Sequence, residues 1–77
     1  MPHPPTQVLD TVALVADLPE LGLRAGEVGS VVERLGGEVF EVEFVNEAGR
    51  TYGLHTLEAW QLLRLHSQGL ALKILNE

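Results

Sequence analysis

From Glu38 to Val45 the chain reads Glu-Val-Phe-Glu-Val-Glu-Phe-Val, with Phe40, Val42 and Phe44 on one parity and Glu41 and Glu43 on the other. A period of two with one apolar and one charged face predicts a half-buried antiparallel strand. A second valine-rich run, Glu27 to Leu35, lies just before it across Gly36-Gly37, and two such runs around paired glycines predict a β-hairpin. In the first run valines occupy both parities, so the register follows from keeping Glu33 out of the core. That places Val28, Ser30 and Val32 inward, opposite Phe44, Val42 and Phe40. It also demands an odd loop, Leu35-Gly36-Gly37, with one glycine left-handed.

The flanking segments extend this into a meander. Thr11 to Val15 is β-branched and apolar and predicts a first strand that ends before Pro19, which cannot donate to a ladder. Pro19, Gly22 and Gly26 break Ala16 to Gly26 into a long folded-back loop, with Leu18, Leu21 and Leu23 tucked onto the core. After a turn at Asn46 to Arg50, Thr51 to His55 predicts a fourth strand with Tyr52 and Leu54 inward. Pairing Phe44 with Tyr52 then sets Glu41 opposite His55 as a surface ion pair. Leu57 to Trp60 is too short for an α-helix and predicts one 3-10 turn, followed by a fifth strand, Gln61 to Leu65. These elements in this order predict an all-β fold, a small SH3-like barrel of five antiparallel strands.

The domain plan is a disordered lead over 1–8, the barrel over 9–65, and an apolar extension over 66–77. In the extension Leu70, Leu72 and Ile74 alternate with Ala71, Lys73 and Leu75, while Leu70 and Ile74 also stand at helical spacing, so it is an added strand or a short helix. Four large apolar side chains, Leu70, Leu72, Ile74 and Leu75, oppose the composition of a disordered segment. A barrel already filled by valines and phenylalanines has little room for them. They are therefore expected at an interface with a second subunit, together with Trp60, and the protein is expected to be a homo-oligomer.

Composition narrows the function. Seventy-seven residues hold one domain. With no cysteine there is neither a disulfide framework nor a thiolate metal site, which fits a reducing cytoplasm. Residues 1–7 carry no basic, apolar or lipidation signal, and no apolar run is long enough to span a bilayer, so a soluble cytoplasmic protein is expected. Five Lys and Arg against eleven Asp and Glu give a net charge of -6, and the cations are scattered, so a phosphate backbone is disfavoured as a partner and no membrane or nucleic-acid binding is expected.

Candidate chemistry is sparse. His55 and Glu58 form an His-x-x-Glu, but zinc needs three or four ligands and no third lies nearby. Ser30 and Ser67 have no histidine at a catalytic spacing, and Glu41 and Glu43 project from a strand into water. Gly22, Gly26 and Gly29 fit neither a Walker loop nor a dinucleotide fingerprint. No enzyme activity, cofactor or metal is expected. Trp60 alone invites a functional role, because tryptophan is enriched at interfaces; the alternative is that it closes the bottom of the core.

Leu9 to Leu65 carries Asp-Thr-Val-Ala-Leu, Asp-Leu-Pro, Gly-Glu-Val-Gly with Val-Val-Glu, Glu-Val-Glu-Phe, Gly-Arg-Thr-Tyr and Thr-Leu. In this run of motifs the chain resembles a widespread bacterial family of small proteins known as domain of unknown function 4926. The resemblance implies an SH3-like barrel and no established activity, and it supplies no catalytic residues. Trp60 and the apolar tail depart from the family pattern. Residues 26–31 are also similar to the KOW element of ribosomal barrels, without the basic residues of its RNA binders. The expected function is a non-enzymatic, self-associating interaction module serving a neighbouring protein as an accessory, antitoxin or immunity partner. The alternatives are a KOW-like nucleic-acid or ribosome-associated barrel, and an assembly helper similar to the SH3-like part of nitrile hydratase β subunits.

Overall fold

A computed structural model of the chain describes residues 6–65. The expectations for residues 1–5 and for the extension 66–77, including Leu70, Leu72, Ile74 and Leu75, lie outside the described residues.

Five strands form: β1 (Thr11–Leu14), β2 (Val28–Gly36), β3 (Val39–Val45), β4 (Thr51–Glu58) and β5 (Leu62–Leu65). They make one antiparallel sheet in the order β4-β3-β2-β1-β5. Its edge strands, β4 and β5, are joined only by a 3-10 turn at Ala59–Gln61. In a flat sheet those edges would stand about 19 Å apart at the usual interstrand spacing. The chain from Glu58 to Leu62 reaches at most about 14 Å. The sheet must therefore curl on itself, and this closure, with the strand order, makes the SH3-like barrel.

Curling has a local cause. β2 is irregular against β3 between Val31 and Glu33 and again between Arg34 and Gly36, and β3 against β4 is irregular at Phe44 and Val45. Each extra residue bends its strand and sharpens the twist. The core collected inside is Val12, Leu14, Leu23, Val31, Phe40, Val42, Phe44, Leu57 and Leu62. The β1–β2 loop folds back as expected: Leu18 bridges Leu23, a 3-10 turn at Pro19–Leu21 starts on the fixed φ of proline, and Gly22 ends it left-handed. Leu23 is buried, with Leu18 and Leu21 packed against the core.

The same bulges overturn the registers expected from parity. Phe40, Val42 and Phe44 face inward, but Gly29 and Val31 oppose Phe44 and Val42, so Val28, Ser30 and Val32 are exposed. The bulge at Val32 changes parity within β2, which puts Val31 inside and Glu33 outside on one strand. A constant period could not satisfy both. The hairpin loop is likewise shorter than expected, since Gly36 pairs with Val39 and leaves Gly37 and Glu38 as the turn. Gly37, at φ 53, supplies the left-handed residue.

On β4 the pairing is Phe44 with Gly53 and Val42 with His55, so Gly53, His55 and Leu57 take the inner parity and Tyr52 and Leu54 are exposed. The strand runs on to Glu58 and buries Leu57, which belongs to the strand and not to the 3-10 turn. The expected Glu41–His55 ion pair gives way to Glu41 opposite Thr56, whose hydroxyl donates to the carboxylate at 3.2 Å.

Candidate interaction surface

The outer side of the barrel divides into an apolar part and an acidic part. Register places Ala13 of β1 between Val28 of β2 and Leu63 of β5, making one row across three strands. Ala13 is 9% exposed, screened by its neighbours, while Val28 is 45% and Leu63 57% exposed. Val15, just past β1, is half exposed. The row arises because β1 buries residues of both parities, so its outward Ala13 is shielded by the larger flanking side chains.

The acidic part lies over β2, β3 and β4. Glu33 stands directly across from Glu41, and Glu43 is across from Ser30. Like charges at opposed positions are unfavourable, yet among the described residues no cation pairs with them. The one ion pair among the described residues is Arg64 with Asp10, Nε to Oδ2 at 2.9 Å. That aspartate also accepts the Gln7 N–H, so it ties the start of the barrel to its last strand. Thr51 donates to Glu43 and Thr56 to Glu41, which holds both carboxylates outward.

Trp60 is 70% exposed, so it does not close the core. Its orientation follows from its neighbours: the Ala59 N–H donates to the Glu38 carbonyl and the Glu58 N–H to the Gln61 side chain, which pins the turn on both sides. With Ala59 held inward, Trp60 points to solvent.

At the mouth of the barrel the Tyr52 hydroxyl donates to Glu27 Oε1 at 2.6 Å, and the Arg24 N–H donates to Oε2 of the same carboxylate. Tyr52 also lies against Phe44, ring centroids 6.2 Å apart. The Tyr52 bond chiefly, with the Arg24 N–H, holds Glu27 below the usual carboxylate range, and the Glu27 bond pushes the Tyr52 phenol up to about 12. This pair spans 25 positions of sequence, and no local pattern announces it.

The candidate catalytic residues are not brought together. Ser30 lies on the outer face between Thr11 and Glu43, and His55 is half-buried with its ring 6.1 Å from Phe44. Among the described residues no three His, Cys, Asp or Glu side chains group as metal ligands. A cavity of about 520 Å³ lies between Gln7, Arg34, Glu38, Phe40 and Ala59, where the Arg34 guanidinium already donates to the Gly37 carbonyl. Among the described residues no helix is long and apolar enough to cross a membrane.

Neither a curated protein nor a solved structure matches the chain. A family model does, over residues 8–64, from before β1 into β5. By that match the chain belongs to the family described as domain of unknown function DUF4926.

Proposed function

We propose that the protein is a non-enzymatic interaction module of the cytoplasm, which self-associates and serves another protein as an accessory, antitoxin or immunity-type partner. The observation that carries this reading is the exposed row of Val28 and Leu63 around Ala13. Apolar side chains aligned across three strands are the kind of surface that association removes from water, at about 25 cal/mol for each Å² covered. Exposed Trp60 adds a residue type that often anchors interfaces. The outward Glu33, Glu41 and Glu43 and the net charge of -6 weigh against a nucleic-acid partner and favour a protein with a basic surface for the acidic part of the barrel. Leu70, Leu72, Ile74 and Leu75 of the tail belong to the same association. Native mass spectrometry of the full chain at micromolar concentration tests the self-association: dimers or higher oligomers are expected, reduced in Leu63→Asp, and a monomer that Leu63→Asp leaves unchanged is the contrary result.

A further inference from the structure

β4 is an edge strand, bonded only to β3 among the described residues. Which of its backbone groups stand free follows from the hydrogen bond at its end. The Ala59 N–H donates to the Glu38 carbonyl at 2.8 Å, one step beyond the pair of Glu58 with Val39. Bonded and non-bonded pairs alternate along an antiparallel ladder. The bonded pairs are therefore Leu57 with Phe40, His55 with Val42 and Gly53 with Phe44, and the N–H and carbonyl of Leu54 and of Thr56 point away from β3. The Glu58 N–H points the same way but is taken by the Gln61 side chain at 2.9 Å. Among the described residues Leu54 and Thr56 have no such backbone partner.

Edges of this kind are commonly blunted by charged side chains, proline or a bulge. From Thr51 to Leu57 β4 holds no proline, acid, lysine or arginine, and the irregularity at Phe44 and Val45 touches only its start. The charge lies one strand behind. Glu41 and Glu43 stand across from Thr56 and Leu54, and each accepts a hydroxyl from β4, Thr56 to Glu41 and Thr51 to Glu43. On the same outer parity Leu54 and Tyr52 are exposed. We propose that this edge receives an extended segment of a basic partner protein, added as a strand beside β4, with lysine or arginine at alternate positions. The apolar stems of those side chains cover Leu54 and Tyr52, and their charged heads reach over β4 to Glu41 and Glu43. Two interstrand spacings, about 10 Å, separate β3 from an added strand. A long cationic side chain and a glutamate extended toward each other span that gap.

A second copy of this chain suits the edge less well. Edge-to-edge pairing would join two chains of net charge -6, with Glu41 and Glu43 of each behind the joint and no Lys or Arg on either β4. A basic segment replaces that repulsion by attraction. This mode of binding rests on the interaction reading, names the partner of its acidic side, and leaves the row of Val28 and Leu63 free for self-association.

The test uses the full chain, isotope-labelled, at a dilution where it sediments as a monomer. In the free protein the Leu54 and Thr56 amides are expected to exchange quickly beside slow His55 and Leu57. Slow exchange at Leu54 and Thr56 there overturns the open edge. The probe is a blocked synthetic peptide alternating lysine and valine. At low salt it is expected to slow exchange at Leu54 and Thr56, and to bind about tenfold more weakly to Glu41→Gln/Glu43→Gln, the effect of two exposed ion pairs. No slowing at Leu54 and Thr56 with excess peptide overturns strand addition, as does equal binding of a backbone N-methylated peptide. A glutamate–valine peptide that binds as well overturns the basic partner. Resonance changes confined to Val28 and Leu63 overturn the edge while leaving the interaction reading standing. Protection at Leu54 and Thr56 that grows with concentration of the protein alone gives the edge to a second copy and overturns the basic partner.

Discussion

Replacing Gly29 by alanine separates the observed register from the one parity suggests. A Cβ built on Gly29 would stand 2.7 Å from the Glu43 carbonyl oxygen, 2.8 Å from Val42 Cγ1 and 3.0 Å from Phe44 Cδ1. The nearest obstacle is backbone, so relief requires β3 to move, and Val42 and Phe44 behind it are fully buried. Overpacking of this kind costs about 1–3 kcal/mol. Alanine also restrains the unfolded chain and is worth about 0.5–1 kcal/mol over glycine in a strand, which offsets part of the clash. The net expectation is a loss of about 1–2 kcal/mol. For a domain of this size each kcal/mol lowers Tm by about 4–8 °C. Thermal melts followed by far-ultraviolet circular dichroism measure it, with Ser30→Ala, on the exposed parity, as a control expected to be nearly silent. Were Gly29 outward, as keeping Val28, Ser30 and Val32 inside requires, alanine there would be harmless or stabilising. A Gly29→Ala variant melting at or above the parent refutes the tight approach of β2 to β3.

Other consequences follow from the same geometry. Phe40→Ala empties a buried aromatic site and should cost about 3–5 kcal/mol, seen as a collapsed or strongly lowered melt; an unshifted melt removes Phe40 from the core. Glu33→Lys converts an opposed like-charge pair into an attractive one and should raise stability by about 0.2–1 kcal/mol at low salt, whereas a loss contradicts the Glu33–Glu41 register. Tyr52 is the single tyrosine, so ultraviolet titration of its phenolate is unambiguous, and half-ionisation is expected near 12, falling back toward 10 in Glu27→Gln. Since the raised value belongs to the folded state, the pair supports folding below about pH 10 and its contribution is lost as pH rises through about 12, while on the acid side the lowered Glu27 contribution is lost as pH falls through its folded value. Half-ionisation at the ordinary value in the parent chain breaks the Tyr52–Glu27 bond.

The strands were legible because glycines and prolines punctuate valine-rich runs: the five strands predicted for the barrel form, and β3 shows its alternation intact. Registers were not, because a bulge inserts one residue and leaves no compositional mark where both parities are apolar, as at Val31-Val32. At Tyr52 the neighbouring Gly53 was the overlooked signal. A Cβ there would stand 2.9 Å from the His55 Nε2, so the small residue marks the inner position over which the imidazole lies. The exposed row was hidden for the related reason that Val28 looks like core until the ladder is known. Trp60 stayed open between core and surface because its side chain is set by the Ala59 and Glu58 backbone bonds, which composition does not encode.

The central claim, that the row of Val28 and Leu63 around Ala13 is an association surface, is tested most directly by sedimentation velocity of the full chain over a concentration series, beside Val28→Asp/Leu63→Asp. Both substituted side chains are already solvent-exposed, so the fold should survive, as circular dichroism can verify. The account predicts a sedimentation coefficient that rises with concentration in the parent and stays at the monomer value in the variant. A parent that remains monomeric into the high micromolar range, or a folded variant that associates like the parent, contradicts it.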